Sequence, residues 1–284
     1  MSFWIIQTLN GITFSMVLFL ITGGLTLIFG LMRIINLSQG CFYLLGVLIA
    51  FSVLQSTNSF LLCLLFGVIA IGILGILMQR FFLSRFQEDH EGQVLITLGF
   101  VFILSDLALL IWGGEPKLLP KPSWFEGSFE IGSNFFAIYR FVMIVVGVLI
   151  AIGLWLFIGR TKMGALIRAG ADDIEMARGL GIRVPLLFTG VFGLGAALSS
   201  FGGIIAGPLI GAHPGLEWDI LLLSMAVVLI GGLGSLKGAF LGSLLVGLVD
   251  NFCKVLVPEV GLFVIFGAVA IVLAFRPTGL FGRL

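Results

Sequence analysis

The sequence predicts an all-α polytopic membrane protein of about nine transmembrane helices, within a range of eight to ten. Of its 284 residues 60% are hydrophobic and only 10% are charged, whereas soluble domains average roughly 25% charged residues. No charged residue occurs in 1–32 or in 34–79. Runs of this length favour helices over a barrel, whose strands would alternate over about ten residues. We expect 1–284 to form a single transmembrane domain.

The first segment predicts a retained span, because it lacks a basic region and a cleavage site of small residues. Each later span needs about 20 mostly apolar residues. The sequence GGLGS at 231–235 must separate two spans, since one helix of about 40 residues would be too long. The nine predicted spans are 6–31, 40–57, 60–80, 93–113, 138–159, 186–207, 217–233, 238–256 and 260–275.

The distribution of basic residues predicts the orientation, because cytoplasmic loops are enriched in Lys and Arg. If the 160–185 loop is cytoplasmic and the spans alternate, eleven of the 15 basic residues lie inside. The four outside are Lys117, Lys121, Arg140 and Lys254. The N-terminus is then outside, the 114–137 loop is extracytoplasmic and the C-terminus is cytoplasmic. A net charge of +1 argues against nucleic-acid binding.

Small residues recur every four positions in two stripes, and this spacing places them on one helix face. The first stripe runs from Gly195 through Ser199 to Gly215, with Pro208 and Pro214 expected to end the sixth span. The second contains Gly234, Gly238 and Gly242. Small residues let helices approach closely in lipid, although the same face could also slide or line a pathway. The predicted packing or hinge positions are Gly195, Gly203, Gly207, Gly231, Gly232, Gly234 and Gly238.

A polar island at 160–183 holds eight of the 29 charged residues. Asp172 is predicted to cap a short helix, with Glu175 closing a capping box and Gly181 ending the helix. Its small apolar face would consist of Ala171, Ile174 and Ala177. Such a helix could dock into a groove on a partner protein or lie on anionic lipid.

Polar residues within apolar spans are candidates for a solute pathway. Asp106 lies in the fourth predicted span, and Asp250 and Asn251 lie in the eighth. Asn36 and Gln39 are expected at the inner mouth of the second. The alternative for all five is hydrogen bonding between helices or helix capping.

Four motifs, in order, resemble permeases of the LivHM family, the branched-chain amino acid importers. N-L-S-Q-G at 36–40 is similar to the family turn after the first span, although Gln39 stands where the family often has histidine. G-G-L-G-S at 231–235 with Gly238, and R-P-T-G-L-F-G at 276–282, resemble its later turn and its terminus. The loop motif, which also resembles the general importer pattern E-A-A-x-x-x-G, is carried by Arg160, Thr161, Gly164, Arg168, Ala169, Asp173, Glu175, Ala177, Gly181 and Ile182.

The resemblance implies an H-type permease subunit in a bacterial inner membrane, importing leucine, isoleucine or valine. Two permeases would pair, usually as a heterodimer, with two cytoplasmic ABC ATPases and an extracytoplasmic binding protein. The loop helix, at about 165–182, would couple the chain to an ATPase. The chain would bind no cofactor, and its partners would use ATP and magnesium. Related permeases for urea, short amides or other amino acids remain open, as does an ion-coupled secondary transporter.

Overall fold

The computed structural model describes residues 2–86, 89–131 and 134–282. Basic Arg283, one of the eleven residues predicted inside, lies outside these ranges. The α-helices are Ser2–Met32 (α1), Gln39–Thr57 (α2), Phe60–Phe81 (α3), His90–Trp112 (α4), Ile138–Arg160 (α5), Lys162–Asp172 (α6), Ile174–Gly179 (α7), Val184–Ala206 (α8), Leu216–Gly231 (α9), Leu236–Leu256 (α10) and Gly261–Phe275 (α11). Short 3-10 helices occupy Leu83–Phe86, Ser123–Phe125 and Pro258–Val260. Strands Ser128–Ile131 (β1) and Asn134–Ala137 (β2) form an antiparallel hairpin.

The all-α membrane fold is confirmed, and each of the nine predicted spans corresponds to a long helix. Within the described ranges, eight helical segments are long and apolar enough to cross a membrane. The seventh predicted span corresponds to α9, which has 16 residues, or about 24 Å at 1.5 Å per residue. That is short of a hydrocarbon core of about 30 Å. The small hairpin in the 114–137 loop was not predicted.

Helix α1 is the centre of the bundle and packs along α5, α8 and α10. In its most apolar window 83% of residues are buried, against 17–22% for α3, α4, α5 and the last span. Those four therefore present most of their apolar side chains outward, as a surface in contact with lipid or with another membrane subunit requires.

Helix α2 begins well inside the bundle. The chain reverses after α1 at Arg33, which has φ +56°, and 34–38 lead back along α1. Gln39 Nε2 then donates to the carbonyl of Ile21 at 3.0 Å and to that of Gly195 at 3.2 Å. Ile21 is eleven residues before the end of α1, or about 17 Å along the axis. The prediction that Asn36 and Gln39 lie at the inner mouth therefore does not fit the structure, because Gln39 contacts α1 well inside the bundle and not at its end.

The segment after α8 corrects the first glycine stripe. Helix α8 ends at Ala206, before Pro208, so Gly211 and Gly215 lie beyond the helix with φ of +74° and +95°. The segment pairs with the 114–137 loop through a bridge between Lys117 and Ala212. The four-residue spacing therefore continues past the end of the helix, and its last two glycines serve turns instead.

Candidate functional site

The loop between α5 and α8 folds as two short helices within the polar island. Thr161 begins the first, since its side-chain oxygen accepts from the amide of Gly164 at 3.0 Å. A Cβ at Gly164 would collide with the carbonyl oxygens of Phe157 and Ile158. Glycine is therefore required for α6 to fold back directly against the end of α5.

Asp173, and not Asp172, caps the second helix. Asp173 has extended backbone, with φ −151°, and its Oδ1 accepts from the amide of Met176 at 2.9 Å. Asp172 is instead the last residue of α6. The single helix predicted at about 165–182 is thus two helices, and the predicted cap was wrong by one residue because two adjacent acids offer the same chemistry.

Gly181 ends α7 in a Schellman motif. The amide of Ile182 donates to the carbonyl of Ala177 at 3.1 Å, and the amide of Gly181 donates to that of Arg178 at 3.0 Å. Both bonds need a left-handed residue after the helix, and Gly181 has φ +81°. A Cβ there would meet nothing within 4 Å, so backbone conformation and not space selects glycine.

The loop has one face against the bundle and one toward solvent. Ala177 is 1% exposed and Ile167 is 7% exposed, so the predicted apolar face containing Ala177 packs inward and is not available to a partner. The most exposed apolar side chains of the loop are Met176 and Leu180, which are 62% and 73% exposed. Sequence reasoning missed both, although each interrupts a run of charged and small residues.

A groove of about 320 Å³ lies beside these side chains. Its walls include Met163 and Leu166 of α6, Leu180 and Ile182 after α7, and Leu186 of α8. Arg183 lines the groove, and all eight charged residues of the island are exposed: Arg160, Lys162, Arg168, Asp172, Asp173, Glu175, Arg178 and Arg183. An apolar groove with a charged rim suits contact with another protein. The remaining motif residues, Ala169 and Ile182, are half-buried.

The five pathway candidates do not form one site. Asn36 and Gln39 are fully buried and bond to each other, Nδ2 to Oε1, at 3.3 Å. At the other end of the bundle, Asp250 forms an ion pair with Lys254 at 2.6 Å. Asn251 donates to the carbonyl of Gln7 at 2.8 Å. These four side chains therefore have partners within the chain, in line with the alternative given for them, whereas Asp106 is exposed on α4.

The predicted packing glycines lie at close crossings of main chains. A Cβ on Gly195 would meet Gly24 O at 2.9 Å, and one on Gly203 would meet Tyr43 O at 2.6 Å. A Cβ on Gly231 or on Gly238 would collide with the carbonyl of the other glycine. A Cβ on Gly207 would collide with the side chain of Leu119, and one on Gly232 with the main chain of Gly282. Gly234 abuts Gly30, whose Cα would lie 3.0 Å from a Cβ. Such contacts bring helices together as small residues do in membranes.

Comparison with known proteins places the chain among transport permeases. The family described as branched-chain amino acid transport system / permease component matches residues 7–274. The chain belongs to this family. BraD, a high-affinity branched-chain amino acid transport system permease protein from Pseudomonas aeruginosa, is 29% identical over 98% of this chain and 95% of its own. LivH, the permease protein of the same description from Escherichia coli K12, is 27% identical with the same coverage.

Among solved structures, PsaBC from Streptococcus pneumoniae in complex with Fab overlaps 92% of this permease and 87% of its own chain, at 13% identity and a TM-score of 0.47. That likeness is too distant to support an inference.

One buried carboxylate of the permease was not predicted. Glu217, in the first turn of α9, is 5% exposed. Its Oε1 accepts from Ser105 Oγ of α4 at 2.9 Å, and its Oε2 accepts from the amide of Gly215 at 3.0 Å. A Cβ on Gly40 would collide with the Glu217 carbonyl, so the first turns of α2 and α9 meet inside the bundle. The sequence feature that could have pointed to Glu217 is its position as an acid at the edge of the predicted span 217–233.

Proposed function

We propose that this chain is the H-type permease subunit of an ATP-driven importer of branched-chain amino acids in a bacterial inner membrane. The observation that carries the proposal is the family match over 7–274, together with relatives of that description that cover nearly all of the chain. The subunit forms the pathway with a second permease and binds no cofactor of its own. Two cytoplasmic ATPases supply the motion, and an extracytoplasmic binding protein delivers the amino acid.

The two-helix loop supplies a contact suited to an ATPase. Met176 and Leu180 project outward, Leu180 lines the groove, and the same loop carries exposed charged residues of both signs. Because Ala177 packs inward and Asp173 and Gly181 fix both ends of α7, a push on this surface passes to α5 and α8 rather than bending the loop. The two ends of the loop continue directly into those spans. ATP-driven movement of the loop can then bias two packings of the bundle.

The pathway itself has few groups to hold an amino acid. The polar side chains that the sequence placed in it, Asn36, Gln39, Asp250 and Asn251, are bonded to other parts of the chain. Selectivity for leucine, isoleucine or valine therefore resides mainly in the binding protein. Micromolar binding of leucine by the purified permease pair alone would contradict this part of the proposal.

Co-purification tests the proposal. An affinity tag on this chain, extracted in mild detergent after expression with its neighbouring genes, is expected to recover a second permease and two ATPase subunits. Leucine uptake by the reconstituted complex should then require ATP and the binding protein. Recovery of the chain alone, with uptake driven by a proton or sodium gradient, would contradict the proposal and favour a secondary transporter.

A further inference from the structure

The outward face of α4 differs from the other outward faces of the bundle. It consists of Leu95, Gly99, Phe102, Asp106 and Leu110, which recur at three- and four-residue spacing and so share one side of the helix. We call this set the Asp106 face. Leu95, Phe102 and Leu110 are 67%, 57% and 82% exposed. This stripe is as apolar as a lipid-facing surface except for one exposed carboxylate in its midst.

Asp106 is not placed at a membrane surface. It lies six residues before the end of α4 at Trp112, or about 9 Å along the axis. Leu109 and Leu110 follow it and are exposed. Ionisable residues at such depth almost always face protein or water rather than lipid. No hydrogen bond or ion pair joins Asp106 to another side chain among the described residues, so the described part of the chain leaves this carboxylate without a partner.

The neighbouring helix extends the same surface. Phe102 contacts Trp218 of α9, with ring centroids 5.9 Å apart, and Asp219 beside it is exposed. A second carboxylate thus borders the Asp106 face. By contrast, the outward face of α5 carries Leu149, Ile152 and Trp155 and no acid. The other side chains of the two faces are similarly apolar, but only the Asp106 face carries an exposed acid, which is unsuited to contact with lipid.

Gly99 leaves open space on the Asp106 face, as Gly153 does on α5, and it differs from Gly153 in sharing its face with an exposed carboxylate. A Cβ on Gly46 or Gly203 would meet another helix of this chain at 2.5–2.6 Å, whereas one on Gly99 would meet nothing within 4 Å. A glycine within a span whose small size serves no contact in its own chain leaves room for the backbone of another helix. It lies two turns from Asp106 on the same face.

We propose that the Asp106 face is the surface on which the second permease packs, and that this partner is a different chain presenting hydrogen-bond donors to Asp106. This inference rests on the proposed function. In a symmetric pair of identical chains the same surface meets itself. The described basic residues near membrane depth, Arg140 and Lys254, lie in the first turn of α5 and the last turn of α10, away from α4. A second copy would therefore bring carboxylates together with no described basic side chain beside them to balance their charge.

Photo-crosslinking in the intact, co-expressed complex tests the assignment. A photoreactive phenylalanine analogue at Phe102 is compared with one at Trp155, because both positions are aromatic and similarly exposed, at 57% and 54%. The expected result is an adduct between position 102 and the second permease, and none from position 155. An adduct to lipid alone, or to a second copy of this chain, would overturn the assignment.

Two substitutions separate pairing from folding. Asp106→Lys should lower the recovery of the second permease by about tenfold or more, because it replaces an acceptor that faces hydrogen-bond donors with a positively charged donor. Gly99→Leu should do the same, whereas Gly153→Leu, whose Cβ also meets nothing within 4 Å, should not. Each variant should remain monodisperse in detergent. Equal recovery of the partner with Gly99→Leu and Gly153→Leu would overturn the proposal.

The outcomes also distinguish failure of the assigned face from failure of the proposed function. If wild-type protein recovers ATPases and a second permease but position 102 does not crosslink to that permease, the proposed function stands and the assigned face is wrong. If wild-type protein recovers neither, the proposed function fails and the assignment fails with it.

Discussion

Several glycine residues let main chains from different parts of the bundle meet, each against an identifiable neighbour. Gly24 and Gly195 face each other, as do Gly30 and Gly234. Gly203 lies against the carbonyl of Tyr43, whose oxygen would be 2.6 Å from a Cβ on this glycine. In lipid, where apolar burial contributes little to association between helices, such close contact is a main source of stability.

Gly203→Leu is therefore expected to destabilise the bundle, by about 1–3 kcal/mol as overpacked cores are. The measurement is the thermal unfolding midpoint of the detergent-solubilised protein. Gly153→Leu is the matched control, because nothing lies within 4 Å of a Cβ there. An unchanged midpoint for Gly203→Leu would mean that α8 and α2 do not pack as described.

Gly181 offers a second contrast between neighbouring glycines. Gly181→Ala places a side chain at φ +81° and should cost about 1 kcal/mol locally, which loosens the end of α7. Gly179→Ala, within the helix and with open space around its Cβ position, should be neutral or slightly stabilising. Leucine uptake by the complex should fall only for the first variant. Equal uptake by both would show that the Schellman motif has no part in coupling.

At the scale of elements, the loop helices divide their apolar residues between two surfaces. Leu180→Asp should reduce recovery of the ATPases by about tenfold, because a buried interface centre tolerates an unpaired charge poorly. Leu118→Asp, in the 114–137 loop and 59% exposed, is the control for a new surface acid and should leave recovery unchanged. Full ATPase recovery with Leu180→Asp would refute the docking role of this surface.

The elements also show which parts of the structure a sequence can predict. Eight of the nine predicted spans followed from composition, since a helix in lipid must be apolar over about 20 residues, whereas α9 has only 16 residues. The position of α2 did not follow, because 33–38 resembles an ordinary loop in the sequence. Only the bonds of Gln39 to Ile21 and Gly195 place the start of α2 well inside the bundle. The loop motif marked one segment as the candidate site, and the structure shows that this segment folds as α6 and α7. The sequence did not predict which side of this segment faces solvent, because tertiary packing decides that Ala177 turns inward and Leu180 outward.

At the scale of the whole molecule, orientation in the membrane stays a prediction from basic residues. It is checked by labelling Lys162→Cys and Lys121→Cys variants in intact cells with a membrane-impermeant maleimide. Position 121 should react and position 162 should react only after the membrane is permeabilised, with the unsubstituted chain measuring the background from Cys41, Cys63 and Cys253. The reverse pattern would place the α6–α7 loop outside, where no ATPase could reach it.

Leucine transport into vesicles of purified components tests the central claim most directly. The claim is that the bundle forms the pathway and that ATP hydrolysis by its partner subunits drives transport. Vesicles containing this chain with its second permease and ATPases, with ATP on the ATPase side and binding protein opposite, should accumulate leucine against its gradient. Vesicles lacking the ATPases should not, whatever ion gradient is imposed. Uphill accumulation by this chain without them would show that the bundle is itself a pump and that the proposed mechanism is wrong.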